Sequence, residues 1–128
     1  MQSEGNVAAE WLEYAKSDLS IAKVAKVKGV KLEMLCFHAQ QVVEKCIKAV
    51  LSYYQIPFPK VHMIGALISL LPEDLDYPSE VYEAASLSIY ASVIRYPGEY
   101  ESVDETKYLE ALKLAESVLK WAEGIIPR

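Results

Sequence analysis

Residues 32–54 read LEMLCFHAQQVVEKCIKAVLSYY, and this stretch decides the fold. Leu32, Leu35, Cys36, Ala39, Val43, Cys46, Ile47, Val50 and Tyr54 recur at intervals of three and four over six turns, the spacing that lays one apolar stripe along an α-helix. Ile56-Pro57-Phe58-Pro59 ends the run, because a proline ring cannot continue the helical hydrogen-bond ladder.

The same period extends on both sides. Upstream, Ala8, Trp11, Leu12, Ala15, Leu19 and Ala22 form a first stripe, with Asn6 as its N-cap and Gly29, after Lys26 and Lys28, as its stop. Downstream, a short helix turns Ile64, Leu67, Ile68 and Leu71 inward and closes at Pro72. Another starts near Pro78 or Ser79 and carries Leu87, Tyr90, Ala91 and Ile94 on one side, beside the small residues Ala84, Ala85 and Ser88; Pro97-Gly98 breaks it just after Arg95. The last opens at Ser102, with Glu105 at capping-box spacing, and carries Tyr108, Ala111, Leu112, Ala115, Val118, Leu119 and Ala122 before Gly124. Short connections between long amphipathic helices predict an all-α fold, an antiparallel up-down bundle of four long helices plus one short one, with residues 1–128 as a single domain.

The composition agrees with a globular chain: 128 residues, 52% hydrophobic and 24% charged. The formal charge of -5 has the wrong sign for coating nucleic acid through counterion release, so any nucleic-acid site must be local. Residues 1–60 hold eight lysines and six acids, whereas residues 61–128 hold five basic residues and twelve acids. Such asymmetry favours an anionic ligand or self-association, and solvated helix faces give the same count. Cys36 and Cys46 are separated by about 15 Å along one helix, too far for a disulfide, and are read as reduced, buried, apolar residues. The longest near-apolar run, Met63 to Leu71, is too short to span a bilayer. With a polar Met1–Gly5 and no secretory signal, a soluble, cytoplasmic protein without membrane contact is expected.

Helix bundles often house metals, but the Glu-x-x-His pattern of di-iron sites is missing: Leu35 precedes His38 and Pro59 precedes His62 at that spacing. No metal and no cofactor are expected. Phosphate-cradling glycine loops and a Gly-x-Ser-x-Gly elbow are absent as well. What remains is a second stripe on the central helix. Taking about 100° per residue from Ala39, the residues Phe37, Gln41, Glu44 and Lys48 cluster opposite the core, with His38 and Lys45 on the flank. An aromatic among polar groups on an outward face suggests an interface or cleft, against the plainer reading of a scattered exposed apolar residue. The second place of interest is Ile94-Arg95-Tyr96-Pro97-Gly98-Glu99-Tyr100. Apart from Arg128, Arg95 is the one arginine beside eleven lysines, and a guanidinium offers phosphate or carboxylate a planar fork that lysine lacks. The competing reading is an ion pair closing the helix C-terminus, where a cation is favoured by about 0.3–1 kcal/mol.

At these places the chain resembles the HEPN family, the all-helical "higher eukaryotes and prokaryotes nucleotide-binding" domain. The matching residues are Ala9-Glu10-Trp11-Leu12 with Ala15 and Asp18-Leu19, then Cys36-Phe37-His38-Ala39-Gln40-Gln41 with Glu44-Lys45 and Lys48-Ala49, then Lys60-Val61-His62, and Arg95-Tyr96-Pro97. The resemblance implies a bundle that commonly dimerises, often beside a minimal nucleotidyltransferase and in some pairs as toxin and antitoxin. Many members are metal-independent endoribonucleases whose signature is an Arg followed after four to six residues by a His, two copies meeting at the dimer interface. Here Arg95 fits the first position, but Tyr100 stands where a His is expected and no His follows nearby.

That departure matters chemically, because cleavage through a ribose 2′-hydroxyl needs a proton acceptor near neutral pH. Histidine titrates at about 6.5 and tyrosine at about 10, so Tyr100 is a poor substitute. The sequence therefore favours a non-catalytic module whose dimer cleft holds a nucleotide, an RNA phosphate or a nucleotidyltransferase partner. Arg95, Tyr96 and the Phe37, Gln41, Glu44, Lys45 and Lys48 face are its candidate ligand and interface residues. Tyr100 is also a candidate acceptor of a nucleotidyl group from that partner. The alternatives are an endoribonuclease using Arg95 with His38 or Tyr100, and an inert dimerisation bundle in which Arg95 pairs with Glu99 or Glu101.

Overall fold

The computed structural model describes residues 4–24, 29–93, 95–96 and 98–127, those of 4–6 by backbone alone. Its elements are α1 (Glu4–Ala22), α2 (Leu32–Tyr53), α3 (Ile64–Ile68), α4 (Ser79–Glu83), a 3₁₀ segment (Ala84–Ser88), α5 (Ile89–Val93) and α6 (Glu105–Ile125). The described residues contain no strand. The fold is the expected up-down helical bundle; α4, the 3₁₀ segment and α5 make up its fourth long rod. Ion pairs give the direction of packing. Lys16 meets Glu123 and Lys23 meets Glu116, so α1 and α6 run antiparallel, and α2 packs along both.

The central helix is buried almost all round. Between Val42 and Leu51 every residue except Lys45 is buried, including Glu44 and Lys48, the two charges expected on the outward face. The cause lies at the end of α2. Gln55 adopts a left-handed conformation with φ 59°, and the Ile56 amide bonds back to the Leu51 carbonyl at 2.9 Å. The chain is thereby turned, and Phe58 packs back over the helix beside Trp11 of α1, the rings 6.4 Å apart and edge-on. A face that the wheel assigns to water is roofed by these two aromatics. Gln41 and Phe37, one and two turns nearer the N-terminus than Glu44, are half-buried. Tyr54, expected on the core stripe, is exposed.

Element ends differ from expectation in instructive ways. Asn6 lies inside α1, and α1 ends at Ala22, well before Gly29. The α6 cap is Asp104 rather than Ser102: its carboxylate accepts the Lys107 amide at 2.8 Å, and the helix runs through Gly124 to Ile125. An ionised cap also complements the positive end of the helix dipole. In the 79–93 rod the inward residues are Val81, Ala84, Leu87 and Val93, with Tyr90 half-buried. That column recurs at three, the period of a 3₁₀ helix, which explains the tightened centre where an uninterrupted α-helix is expected. The Ile64 amide donates to Ser88 Oγ at 3.0 Å and pins α3 to this rod. Lys26, Lys28, Ile94, Pro97 and Arg128 lie outside the described residues. Cys36 and Cys46 are buried free thiols. No described helix is long and apolar enough to cross a membrane.

Candidate functional site

Two polar networks cross the α1–α2 face, and a third group of residues sits at the end of α5. The first network centres on Glu44, about 4% exposed. Gln40, Glu44 and Lys48 follow at intervals of four, so their side chains line one helix edge. Glu44 Oε1 accepts from Gln40 Nε2 at 3.0 Å; Oε2 accepts from Lys48 Nζ at 2.9 Å and from His62 Nδ1 at 3.1 Å. The Lys48 ammonium lies 5.5 Å from the Trp11 ring centre and 5.8 Å from that of Phe58. Burial on its own would raise the Glu44 pKa, but the donors Lys48, His62 and Gln40 outweigh it and hold the carboxyl below its ordinary range. Gln40 Oε1 is buried without a hydrogen-bond partner among the described residues. Glu44 and Lys48 thus bind each other and the 55–63 segment rather than facing a ligand, which corrects their placement on an open interface.

The second network lies toward solvent. Asp18, 7% exposed on α1, accepts from His38 Nδ1 at 2.9 Å and from Lys45 Nζ. Lys45 also sits 5.8 Å from the Tyr14 ring centre, and Phe37 meets the His38 ring edge-on at 5.3 Å. A carboxylate on Nδ1 orients the imidazole and leaves Nε2 pointing away from it, the arrangement of the catalytic triad of serine proteases. Sequence spacing passes over Asp18 because its partners lie across a helix pair, twenty and twenty-seven residues along the chain.

At the third place the backbone turns sharply after α5. The Arg95 and Tyr96 amides both bond to the Ser92 carbonyl, at 3.0 and 3.2 Å, and Gly98 takes φ 90°, a conformation open to glycine without strain. Arg95, Tyr96 and Tyr100 are all exposed. No carboxylate lies within ion-pair distance of Arg95 among the described residues: Glu101 pairs with Lys107 at 3.5 Å instead, and Glu99 does not reach it. The ion pair that would have sealed Arg95 is therefore not formed there. No hydrogen bond or ion pair joins Arg95 to His38 or His62, whose partners are Asp18 and Glu44. Among the described residues no group of three or more His, Cys, Asp and Glu could hold a metal ion.

The family model for the HEPN domain matches residues 8–125 of this chain. Among solved structures, the chain is similar to TT1696 from Thermus thermophilus, with 33% identity and a TM-score of 0.76 over 91% of this chain and 96% of that one. It is also similar to ST0689, an archaeal HEPN homologue, with 28% identity and a TM-score of 0.72 over 94% and 98% of the two chains. No curated protein matches.

Proposed function

The chain belongs to the HEPN family, and from that premise we propose that it is a non-catalytic module that binds the phosphate of a nucleotide or RNA and works as a homodimer with a minimal nucleotidyltransferase partner, in a pair of the toxin–antitoxin kind. One observation carries this reading: the Arg95 guanidinium stands exposed at the end of the 79–93 rod with no carboxylate partner among the described residues. A guanidinium left open offers an anion two parallel N–H donors. Tyr96, the next residue, and Tyr100, five residues on, are exposed hydroxyl-bearing rings on which a base could stack. Calorimetric titration with nucleoside mono- and triphosphates and short RNAs tests this directly. Binding that weakens about tenfold in Arg95→Ala and partly returns in Arg95→Lys is expected. Wild-type protein that binds none of these ligands refutes it.

A second reading has its own observation. Asp18 fixes His38 by its Nδ1, so the proton acceptor missing after Arg95 has a structural candidate elsewhere. In an endoribonuclease of this kind His38 takes the 2′-hydroxyl proton and a guanidinium steadies the phosphate. RNA cleavage insensitive to chelators, and lost in His38→Ala and Arg95→Ala alike, would favour this reading over the first.

A further inference from the structure

The face formed by the 79–93 rod and the first half of α6 carries a furrow that shares only Tyr100 with the Arg95 reading. Two hollows follow one another along it. One, of about 580 Å³, lies between Ser79–Ser86 and Glu110–Leu114; the other, of about 400 Å³, lies between Ile89–Val93, the 99–103 segment and Lys107. Ser86 and Ile89 are one turn apart, as are Lys107 and Glu110, so the hollows share the crossing of the same two rods. At the helical rise the rod from 79 to 93 is about 20 Å long, room for three to four turns of a docked helix.

Its floor and walls differ in character. Ile89 is 49% exposed and Tyr100 38%, with Val103 half-buried in the same hollow, so the floor there is apolar and open, and half-buried Leu114 is the apolar residue of the other hollow. The walls are acidic: Glu80, Glu83 and Glu110 at one hollow, Glu99 and Glu101 at the other. Two lysines reach the furrow, Lys107 and Lys113, and Lys107 is already taken by Glu101. Glu80, Glu83, Glu99 and Glu110 have no cationic partner among the described residues. An anionic ligand is repelled here, a simple cation has no use for the floor, and a plain apolar helix leaves the carboxylates facing one another.

We propose that this furrow docks a basic amphipathic segment of a partner protein, with the segment's apolar residues on Ile89 and Leu114 and its lysines or arginines against Glu80, Glu83 and Glu110. Charge complementarity selects the occupant and the apolar floor gives it contact area. This does not depend on Arg95 binding phosphate.

The test uses the full chain and a fluorescent Lys/Leu peptide of about 14 residues with its leucines on one helical face, beside an all-lysine peptide of equal charge. The expected result is that the amphipathic peptide binds at least tenfold more tightly, its NMR shift changes map to residues 79–93 and 103–114, and Ile89→Asp or the pair Glu80→Lys/Glu83→Lys each cost about tenfold or more. Glu13→Lys/Glu73→Lys, which removes equal charge elsewhere, shifts affinity less than threefold. Circular dichroism melts establish that each variant folds, and the NMR map of the wild type stands without any variant. Equal binding of the two peptides, shifts spread over α1, or no binding at all overturns the proposal. So does concentration-dependent self-association that Ile89→Asp abolishes, since the occupant is then a second copy.

Discussion

Replacing Lys48 by methionine isolates the energetics of the central polar network. Methionine keeps most of the methylene stem under Trp11 and Phe58 and removes the charge. Glu44 then stays about 4% exposed with Gln40 and His62 as its remaining donors, and the His62 side chain is 63% exposed. Removing one partner of a buried ion pair typically costs about 3–5 kcal/mol because the other charge is left without compensation. The surviving donors place this case near the lower end, about 3 kcal/mol. For a domain of this size the urea midpoint should fall by roughly 2 M at unchanged slope. The double variant Glu44→Gln/Lys48→Met should recover most of that loss, since no uncompensated charge remains. The pH dependence gives a second readout. The Glu44 pKa is lowered in the fold from its ordinary 4.5, so its contribution is present above that value and fades as pH falls through the folded one. The gap between wild type and Lys48→Met should accordingly narrow on acidification. A loss below about 1 kcal/mol, or a double variant as unstable as the sum of the singles, would refute the reading of Glu44 and Lys48 as a buried pair in which each charge compensates the other.

Three further outcomes rest on separate contacts. Tyr108→Phe should cost about 1–2 kcal/mol in chemical denaturation, because the buried Tyr108 hydroxyl donates to the Ala22 carbonyl that ends α1 and its loss strands that carbonyl. Native protein should resist a thiol reagent at pH 8 and react fully in urea: burial, with Glu33 adding to it and the Tyr90 hydrogen bond opposing, pushes Cys36 up to about 11, while burial pushes Cys46 higher still. Asp18→Asn should lower stability by about 1–3 kcal/mol and free the Lys45 and His38 side chains, detectable as new NMR exchange at both; unchanged spectra would count against the Asp18 network.

The fold is legible because it is written in local periodicity, and the failures mark where locality ends. The stripe of α2 and the inward faces of α3 and α6 follow from spacing. The column Val81, Ala84, Leu87, Tyr90 and Val93 is legible too, but at period three; a reading tuned to 3.6 picks Leu87, Tyr90 and Ala91 instead and misses the 3₁₀ centre. The i, i+4 series Gln40, Glu44, Lys48 is equally plain in the sequence, whereas its burial is not. That burial depends on Gln55 turning the chain so that Phe58 and Trp11 roof the face, an event set by residues before and after the helix.

The residues of the candidate site separate on the same ground. Glu44 and Lys48 look available in the sequence because a wheel treats each helix as if it had water opposite its core, an assumption that fails where Trp11 and Phe58 cover α2, while Lys45 keeps part of its exposure and is taken up by Asp18 of α1. Arg95 behaves differently. It lies past the last turn of its rod, in the turn after α5, and is exposed there. In this chain it is Arg95, not the lysines of α2, that stands exposed without a carboxylate partner among the described residues.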